Sequence, residues 1–262
     1  MEKHRLTLIV LAAAFSGAAF AQSEGGLIVS AGAEKGITKQ LSFGVEAEMR
    51  TRNDFKTMDR WSFGLGAEYK FNKWLKADAG YDFLHSNFRE KITYTDAGAY
   101  NHWRPSYWGN RHRWHASLTG TYKWDCGVKV SLRERWQYTY RPEKTVDRYW
   151  NYTDEDDDAV YGEPVIKKGT TQTHTYQAKG SNKWRQRLQL KYKLTKQWRP
   201  YLSAESTVGA NGLDKMRYSL GTEIRLTKQH SLDVKYLFQH SYKDDDNEGD
   251  RHVLGIGYTI KF

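Results

Sequence analysis

The stretch that decides the fold is "HVLGIGYTIKF", residues 252–262. Its apolar side chains recur at every second position, as expected for a strand with one apolar face. That face would carry Leu254, Ile256, Tyr258, Ile260 and Phe262. The alternate positions are small or polar, which suits a strand between lipid and the lumen of a barrel. A strand of this kind needs a partner along both edges, because an open edge in hydrocarbon is prohibitively costly.

The same alternation recurs through the chain, whereas helical periodicity does not. Ten such segments can be distinguished: 40–52, 60–71, 74–88, 111–124, 127–141, 182–194, 198–209, 215–226, 230–243 and 251–262. A tilted membrane strand needs about 9–11 residues to cross the hydrocarbon, so each segment is long enough to span. The sequence therefore predicts an all-β fold, a transmembrane antiparallel β-barrel.

The links between these segments differ in length. Tight links occur at 72–74, 125–127, 195–198 and 227–230, and most of the others, such as 89–110 and 142–181, are longer. Short turns on one rim and long loops on the other are typical of bacterial outer-membrane barrels. Antiparallel closure requires an even number of strands. Ten strands are favoured, and twelve would fit if 142–181 contained another crossing.

One further segment, residues 27–33, looks like a strand that turns tightly at 36–39. An eleventh full strand would break antiparallel closure. The segment is therefore expected to be a partial strand or to lie inside the barrel.

The N-terminal residues have the pattern of a secretory signal. Lys3 and Arg5 precede an apolar core, and Ala19-Phe20-Ala21 fits a cleavage site. The expected organisation is a signal peptide at 1–21 and one barrel domain at 22–262. The mean hydropathy of −0.83 excludes a helical membrane protein, and 15% aromatic residues suit strands. The single cysteine, Cys126, excludes an intramolecular disulfide.

The inward positions carry more lysine and arginine than carboxylate, Arg113 among them, and the whole chain has a formal net charge of +10. In a barrel of this size, side chains largely fill the interior. These groups should form ion pairs, and the excess positive charge could line a pocket or path for anions. The candidate lumen-lining and ligand residues are Glu46, Glu48, Arg50, Arg52, Glu68, Arg133, Arg135, Arg185, Arg187, Arg217, Glu223 and Arg225.

Glu134 breaks the pattern, because it falls on the lipid-facing parity between Leu132 and Trp136. A carboxylate facing lipid is expensive. A β-bulge near Arg133 and Arg135 would turn it inward, and such a bulge is the favoured expectation.

The sequence favours a protein that is not an enzyme. His115 and Ser117 share an inward face, as a base and a nucleophile might, but no third acid is evident. The histidines lack metal-ligand spacing, and the acidic stretch at 244–250 fails as a calcium loop. No catalytic residue, metal or cofactor is predicted. Nucleic acid is not an expected partner, because the basic residues would face a lumen.

Several stretches carry a resemblance to a known family: "LSFGVEAEMRTR", "WSFGLGAEYKFNKWLKADAGYDF", "RLQLKYKLTKQWRPYLSAES", "YSLGTEIRLTKQHSLDVKYLFQ" and "YTIKF". The chain resembles domain of unknown function family 2490, which groups predicted barrels of Gram-negative outer membranes. The resemblance implies fold and compartment only. A terminal aromatic such as Phe262 also resembles the signal that barrel-assembly machinery reads.

The sequence thus predicts a cell outer-membrane, porin-like barrel, a narrow channel or pocket for small anionic solutes. Its expected partners are outer-membrane lipid, lipopolysaccharide and the assembly machinery. The alternatives are a plugged structural or adhesion barrel that acts through the loops at 89–110 and 142–181, and an outer-membrane lipid hydrolase.

Overall fold

A computed structural model of the chain describes residues 23–94, 100–150, 171–242 and 249–262. The predicted signal peptide at 1–21, the acidic stretch at 154–158 and most of that at 244–250 lie outside these residues. The described residues form fifteen strands: β1 (Glu24–Gly36), β2 (Leu41–Arg52), β3 (Thr57–Lys70), β4 (Leu75–Phe88), β5 (Lys91–Tyr94), β6 (Tyr100–Arg104), β7 (Tyr107–Lys123), β8 (Val128–Arg141), β9 (Lys144–Trp150), β10 (Thr171–Tyr176), β11 (Lys179–Tyr192), β12 (Trp198–Gly209), β13 (Gly212–Arg225), β14 (His230–Ser241) and β15 (Arg251–Lys261). In the same ranges, no helix is long and apolar enough to cross a membrane.

Eleven of these strands close a barrel, in the order β1-β15-β14-β13-β12-β11-β8-β7-β4-β3-β2. The all-β barrel is confirmed, but the favoured count of ten and the alternative of twelve are wrong for the described residues. The additional strand is β1, which contains the 27–33 segment and spans the wall instead of lying inside the barrel.

The odd strand count is accommodated by one parallel seam. β1 pairs with β2 in the antiparallel sense and with β15 in the parallel sense, from Glu24 opposite Arg251 to Glu34 opposite Lys261. The Phe262 amide donates to the Glu34 carbonyl at 2.9 Å, so the last residue takes part in closure. The expectation of purely antiparallel closure is therefore wrong at this seam. The parallel pairing still provides hydrogen-bond partners for the facing edges of β1 and β15.

Three of the tight turns share one sequence, Thr-Lys-Gln, beginning at Thr38, Thr195 and Thr227. In each, the threonine hydroxyl accepts hydrogen bonds from the amides two and three residues later, at 2.9–3.1 Å. A side chain that satisfies two backbone donors stabilises a short reversal. The turn between β1 and β2 is thus of the same kind as the other two, and it lies on the same rim.

The start of β1 is attached to the opposite rim by the turn between β2 and β3. Asn53, Asp54 and Phe55 all have positive φ, between 52° and 70°, which is costly for residues other than glycine. The Asp54 amide donates to the Gly25 carbonyl at 3.1 Å, and the Gly25 amide donates to the Asp54 carboxylate at 2.9 Å. These reciprocal bonds help offset the strain and hold the first residues of β1 in the wall.

The outer face of the barrel is an apolar belt bordered by aromatic side chains. Exposed aromatics near the tight turns are Tyr69, Phe71, Trp74, Trp124, Trp198 and Phe262. Exposed tryptophans toward the other rim are Trp61, Trp114, Trp136 and Trp184. Aliphatic side chains such as Leu65, Leu118, Leu188 and Ile256 lie exposed between the two groups. The predicted outward parity of the strands is therefore confirmed.

Glu134 lies on this outer face. The register of β8 with β7 and β11 runs through residue 134 without a shift, so the predicted bulge is wrong. The Trp184 indole instead donates a hydrogen bond to the Glu134 carboxylate at 2.7 Å. Gln186, directly opposite on β11, is exposed beside it. A local polar neighbourhood on the outer face replaces the predicted backbone distortion.

Beyond the barrel, β5, β6, β9 and β10 form a second sheet in the order β10-β9-β6-β5, here called the rim sheet. Each of its strands is separated from one barrel strand by a break of two residues in the sequence. Two of the breaks contain proline, Pro105 and Pro142, which cannot donate to a strand ladder. The long links at 89–110 and 142–181 therefore contain strands, but these strands do not add crossings to the barrel.

Candidate functional site: the arginine-lined lumen

The inward face of the barrel encloses a cavity of about 1190 Å³ that reaches the rim opposite the tight turns. Eight of the twelve predicted site residues line it: Glu46, Glu48, Arg50, Arg133, Arg135, Arg185, Arg187 and Arg217. Fifteen lysine and arginine residues contribute to the lining, against six aspartate and glutamate residues. The predicted excess of positive charge is therefore concentrated in this cavity.

The other four predicted residues lie apart from the cavity. Arg52 is buried in the wall, where it pairs with Asp59 at 3.2 Å. Glu68 pairs with Lys76 and lines a second, smaller cavity. Glu223 and Arg225 lie near the tight-turn rim, with 3.5 Å between the Arg225 Nε and Glu223 Oε1 atoms. A ligand-binding role for any of the twelve residues stays a prediction.

Four arginines on β8 and β11 face one another in two successive inward pairs. Arg135 is directly opposite Arg185, and Arg133 is directly opposite Arg187. Like charges at opposed positions of neighbouring strands destabilise a sheet. The arrangement therefore needs negative charge close by, from the protein or from a ligand.

Glu205 on β12 supplies part of that charge. Its carboxylate accepts hydrogen bonds from Arg133 at 2.7 Å, from the Arg185 Nε at 3.1 Å and from Arg217 at 3.4 Å. Its side chain is only 8% exposed, so these bonds form in a largely desolvated site. Glu48 has a similar role on β2, with Arg50 and Arg60 each at 2.7 Å. One carboxylate thus serves two or three guanidinium groups, which leaves net positive charge.

Asp78 on β4 binds a third arginine of the two pairs, Arg135. Arg135 donates to the Asp78 carboxylate at 3.1 Å and to the Ser117 hydroxyl at 2.7 Å, and Ser117 donates to Asp78 at 3.0 Å. Both hydrogen-bonding functions of Ser117 are therefore used. No hydrogen bond joins Ser117 to His115, which lies near Asp78 and Asp82 instead, at 3.7 and 3.6 Å. In this arrangement Ser117 and His115 contact neighbouring carboxylates and not each other.

Three arginines that line the cavity, Arg113, Arg141 and Arg187, form no ion pair with a carboxylate of the described residues. The Arg113 Nε is also buried without a hydrogen-bond acceptor. A buried donor without a partner is costly, so these side chains are suited to an anion that enters the cavity. The inward parity of Arg113 was readable from the sequence, but its lack of a partner depends on the fold.

The smaller cavity has a volume of about 360 Å³ and the opposite charge. Its acidic lining residues are Glu34, Glu46, Glu68, Asp78 and Asp82. Glu46, Gly64, Asp82 and His115 line both cavities, so the two adjoin. A Cβ at Gly64 would approach Asp82 Oδ1 to 2.6 Å, so a larger residue here would require the Asp82 carboxylate to move.

In the described part of the chain, no group of three or more histidine, cysteine, aspartate or glutamate side chains is arranged to hold a metal ion. Cys126 is exposed in the turn between β7 and β8 and carries a free thiol.

Comparison with solved structures finds barrels of similar fold. The translocator domain of autotransporter NalP from Neisseria meningitidis is 10% identical, with 79% of this chain and 72% of that chain covered and a TM-score of 0.54. The beta domain of the Bordetella autotransporter BrkA is 11% identical, with 84% and 81% covered and a TM-score of 0.49. The NanC porin is 11% identical, with 90% and 99% covered and a TM-score of 0.42. At these identities the likeness concerns the fold alone.

No curated protein matches the chain. A family model does match, over residues 28–250, and its description is "Protein of unknown function (DUF2490)". That range includes most of the barrel, from β1 to the residue before β15. The chain therefore belongs to the DUF2490 family of proteins of unknown function.

Proposed function

We propose that the protein resides in the outer membrane, with its apolar belt in the hydrocarbon. Along β11, the exposed aromatics Trp184 and Tyr192 are separated by eight residues. At a rise of about 3.3 Å per residue and a tilt of about 40°, that separation corresponds to about 20 Å, close to the apolar band of outer-membrane barrels. The tight turns would then face the periplasm, and the rim sheet would face lipopolysaccharide and the exterior. Barrel-assembly machinery would engage β15 through Phe262.

Membrane placement makes Glu134 a costly residue. We expect Glu134→Gln to raise the unfolding free energy in lipid bilayers by about 1 kcal/mol, because it removes a charge from the apolar belt and keeps an acceptor for Trp184. Urea titrations followed by tryptophan fluorescence would measure this change. Glu143→Gln, at an exposed position between β8 and β9, is the matched control and should have no effect. A loss of stability in the Glu134 variant would argue against lipid contact at this site.

We further propose that the lumen binds small anionic solutes and acts as a narrow channel or pocket for them. The observation that carries this proposal is the pair of arginine–arginine contacts between β8 and β11, with Arg187 left without a carboxylate partner among the described residues. A sheet tolerates such contacts when an anion neutralises them. The excess of cationic lining residues supports the same conclusion.

The experiment is single-channel recording in planar bilayers under a potassium chloride gradient. The wild-type protein is expected to give a reversal potential that favours chloride. The double variant Arg113→Gln/Arg187→Gln should lose most of that preference, because it removes two arginines of the inner lumen that form no ion pair. Lys35→Gln/Lys228→Gln removes equal charge from exposed positions at the tight turns and should retain it. Absence of current in the wild type would reject the channel, and unaltered selectivity in the double variant would reject these residues as its determinants.

The rim sheet favours a second candidate, a structural or adhesion barrel that acts through its exterior. The four strands of this sheet extend the wall beyond the barrel and would present a surface to a partner. A protein of this kind would give no anion-selective current, so the same recordings discriminate between the two functions.

A further inference from the structure

Between the barrel and the rim sheet, three aromatic and three arginine side chains form a compact group, here called the mouth cluster. Its members are Phe88, Arg104, Tyr107, Arg111, Arg141 and Tyr176. They come from β4, β6, β7, β8 and β10, at or beside the two-residue breaks that separate the sheets. The fold therefore assembles the cluster from five strands, over a stretch of sequence from Phe88 to Tyr176.

The three rings stack on one another. Phe88 and Tyr107 have centroids 4.8 Å apart and planes inclined by 15°, and Tyr107 and Tyr176 have centroids 6.1 Å apart and planes inclined by 13°. Stacked rings of this kind form a rigid apolar platform. The platform fixes the guanidinium groups that lie on it.

Each arginine lies over at least one ring. Arg111 is 4.4 Å from the Phe88 centroid, and Arg104 is 5.2 Å from the Tyr107 centroid. Arg141 is 5.7 Å from the centroids of both Phe88 and Tyr176. A guanidinium group that rests on a ring is held by cation–π attraction and can direct N–H donors in its plane toward a planar oxyanion.

The cluster has buried donors without acceptors. The Arg104 Nε, the Arg141 Nε and the Tyr107 hydroxyl are buried without a hydrogen-bond partner. The terminal nitrogens of Arg104 donate to the Tyr176 hydroxyl at 3.5 Å and to the Arg89 carbonyl. No carboxylate of the described ranges lies within ion-pair distance of Arg104 or Arg141. Arg104, Arg111 and Arg141 are also the arginines that act electrostatically on the Tyr107 phenol. Unpartnered donors with concentrated positive charge are the features of an unoccupied anion site.

The cluster opens into the lumen, because Arg111 and Arg141 also line the large cavity. None of its members belongs to the group around Glu205, and Arg113 and Arg187 lie deeper in the barrel. The mouth cluster is therefore a second positively charged site, distinct from the arginines around Glu205 and nearer the rim sheet.

We propose that the mouth cluster binds the oxyanion group of a soluble solute, a carboxylate, phosphate or sulfate, before the solute reaches the arginines of the lumen. The rings already contact one another and the guanidinium groups, so recognition depends on N–H edges and not on stacking with a ring of the solute. This inference deepens the proposed function, on which it rests for the direction of solute entry, but binding at the cluster can be tested without any current.

The test is calorimetric titration of the folded full-length protein in detergent with sodium sulfate. The double variant Arg104→Gln/Arg141→Gln is expected to lose one binding event, or to weaken it by about tenfold or more, as follows from loss of charge-assisted hydrogen bonds. Lys91→Gln/Lys144→Gln removes two exposed charges from the rim sheet and should bind as the wild type does. The lumen variant Arg113→Gln/Arg187→Gln should retain the event that the mouth variant loses. Tyr107→Phe should weaken the same event and leave the guanidinium groups intact.

Sulfate binding that is unchanged in the mouth variant would overturn the proposal, even if the channel conducts. If the wild type carries no current but binds sulfate, and the mouth variant loses that binding, the result would support the mouth cluster and reject the channel. A titration with purified lipopolysaccharide separates the two sources of phosphate, and binding of that lipid without any binding of sulfate would also overturn the proposal. The gel mobility of unheated samples identifies folded barrels, and Tyr107→Phe provides a milder test if the double variant does not fold.

Discussion

Replacement of Glu205 by glutamine is expected to lower the unfolding free energy by about 3–5 kcal/mol, the cost of removing one partner from a buried ion pair. Glu205 accepts hydrogen bonds from Arg133, Arg185 and Arg217, and its side chain is 8% exposed. Without its charge, the arginines of the two opposed pairs would repel one another, and Asp78 would still hold Arg135. Urea unfolding in detergent, followed by tryptophan fluorescence, measures the loss.

The same variant should respond strongly to anions. Sulfate bound near residue 205 would replace the lost negative charge and stabilise the folded state, more so at higher sulfate concentration. Added sulfate should therefore raise the unfolding free energy of the variant more than that of the wild type. Glu223→Gln is the matched control, because Glu223 also pairs with basic residues but is more exposed, near the tight-turn rim. Equal losses in the two variants, or no recovery with sulfate, would contradict the central role of Glu205.

The second large effect concerns the parallel seam. In a Cys126→Ser background, Val29→Cys and Ile256→Cys should be joined almost completely by a short bifunctional maleimide, because the two residues are direct partners across β1 and β15. Both side chains are exposed on the outer face, so the reagent can reach them. Mass spectrometry and the mobility of unheated samples on gels report the crosslink.

The control pair is Ala33→Cys with Ile256→Cys. Residue 33 is four positions further along β1, or about 13 Å, and should not be joined to residue 256. If the barrel instead closed through β2 and β15, cysteines at Phe43, Val45 or Ala47 would crosslink to residue 256. Efficient crosslinking from β2 would overturn the eleven-strand closure.

Alternation alone was sufficient to identify the barrel wall and its two faces. Along β11, for example, Arg185, Arg187 and Lys191 face inward, and Trp184, Leu188 and Tyr192 lie exposed on the outer face. This parity follows from the two-residue period of an extended chain, which is a local property. The family resemblance seen in the sequence is likewise confirmed by the match over residues 28–250.

The sequence does not predict the eleventh wall strand, because antiparallel closure requires an even number of strands and the seam between β1 and β15 is parallel. A signal for it was present, since Thr38-Lys39-Gln40 repeats the turn sequence that precedes β12 and β14. That repeat indicates a full strand before the turn. The sequence contains no comparable signal for the parallel pairing of β1 with β15, because the two strands come from opposite ends of the described chain.

Glu134 illustrates the limit of a rule based on one residue. Its outward parity was read correctly, but its partner, the Trp184 indole, is 50 residues away in sequence. The free-energy cost of a carboxylate in lipid predicts a bulge that turns Glu134 inward. In the structure Glu134 stays on the outer face, where Trp184 of the neighbouring strand donates a hydrogen bond to it. Side-chain neighbours across a sheet depend on register, and register is not a local property.

The sequence by itself determined the wall of the barrel, the identity of its inward charges and its family, because each of these follows from local period or from motifs. Only the tertiary structure decided that Arg133 is opposite Arg187, that Glu205 is shared by three arginines and that the mouth cluster forms at the breaks below the rim sheet. Those contacts join strands that are far apart in sequence. Their energies depend on register and closure, which the order of residues along one strand does not specify.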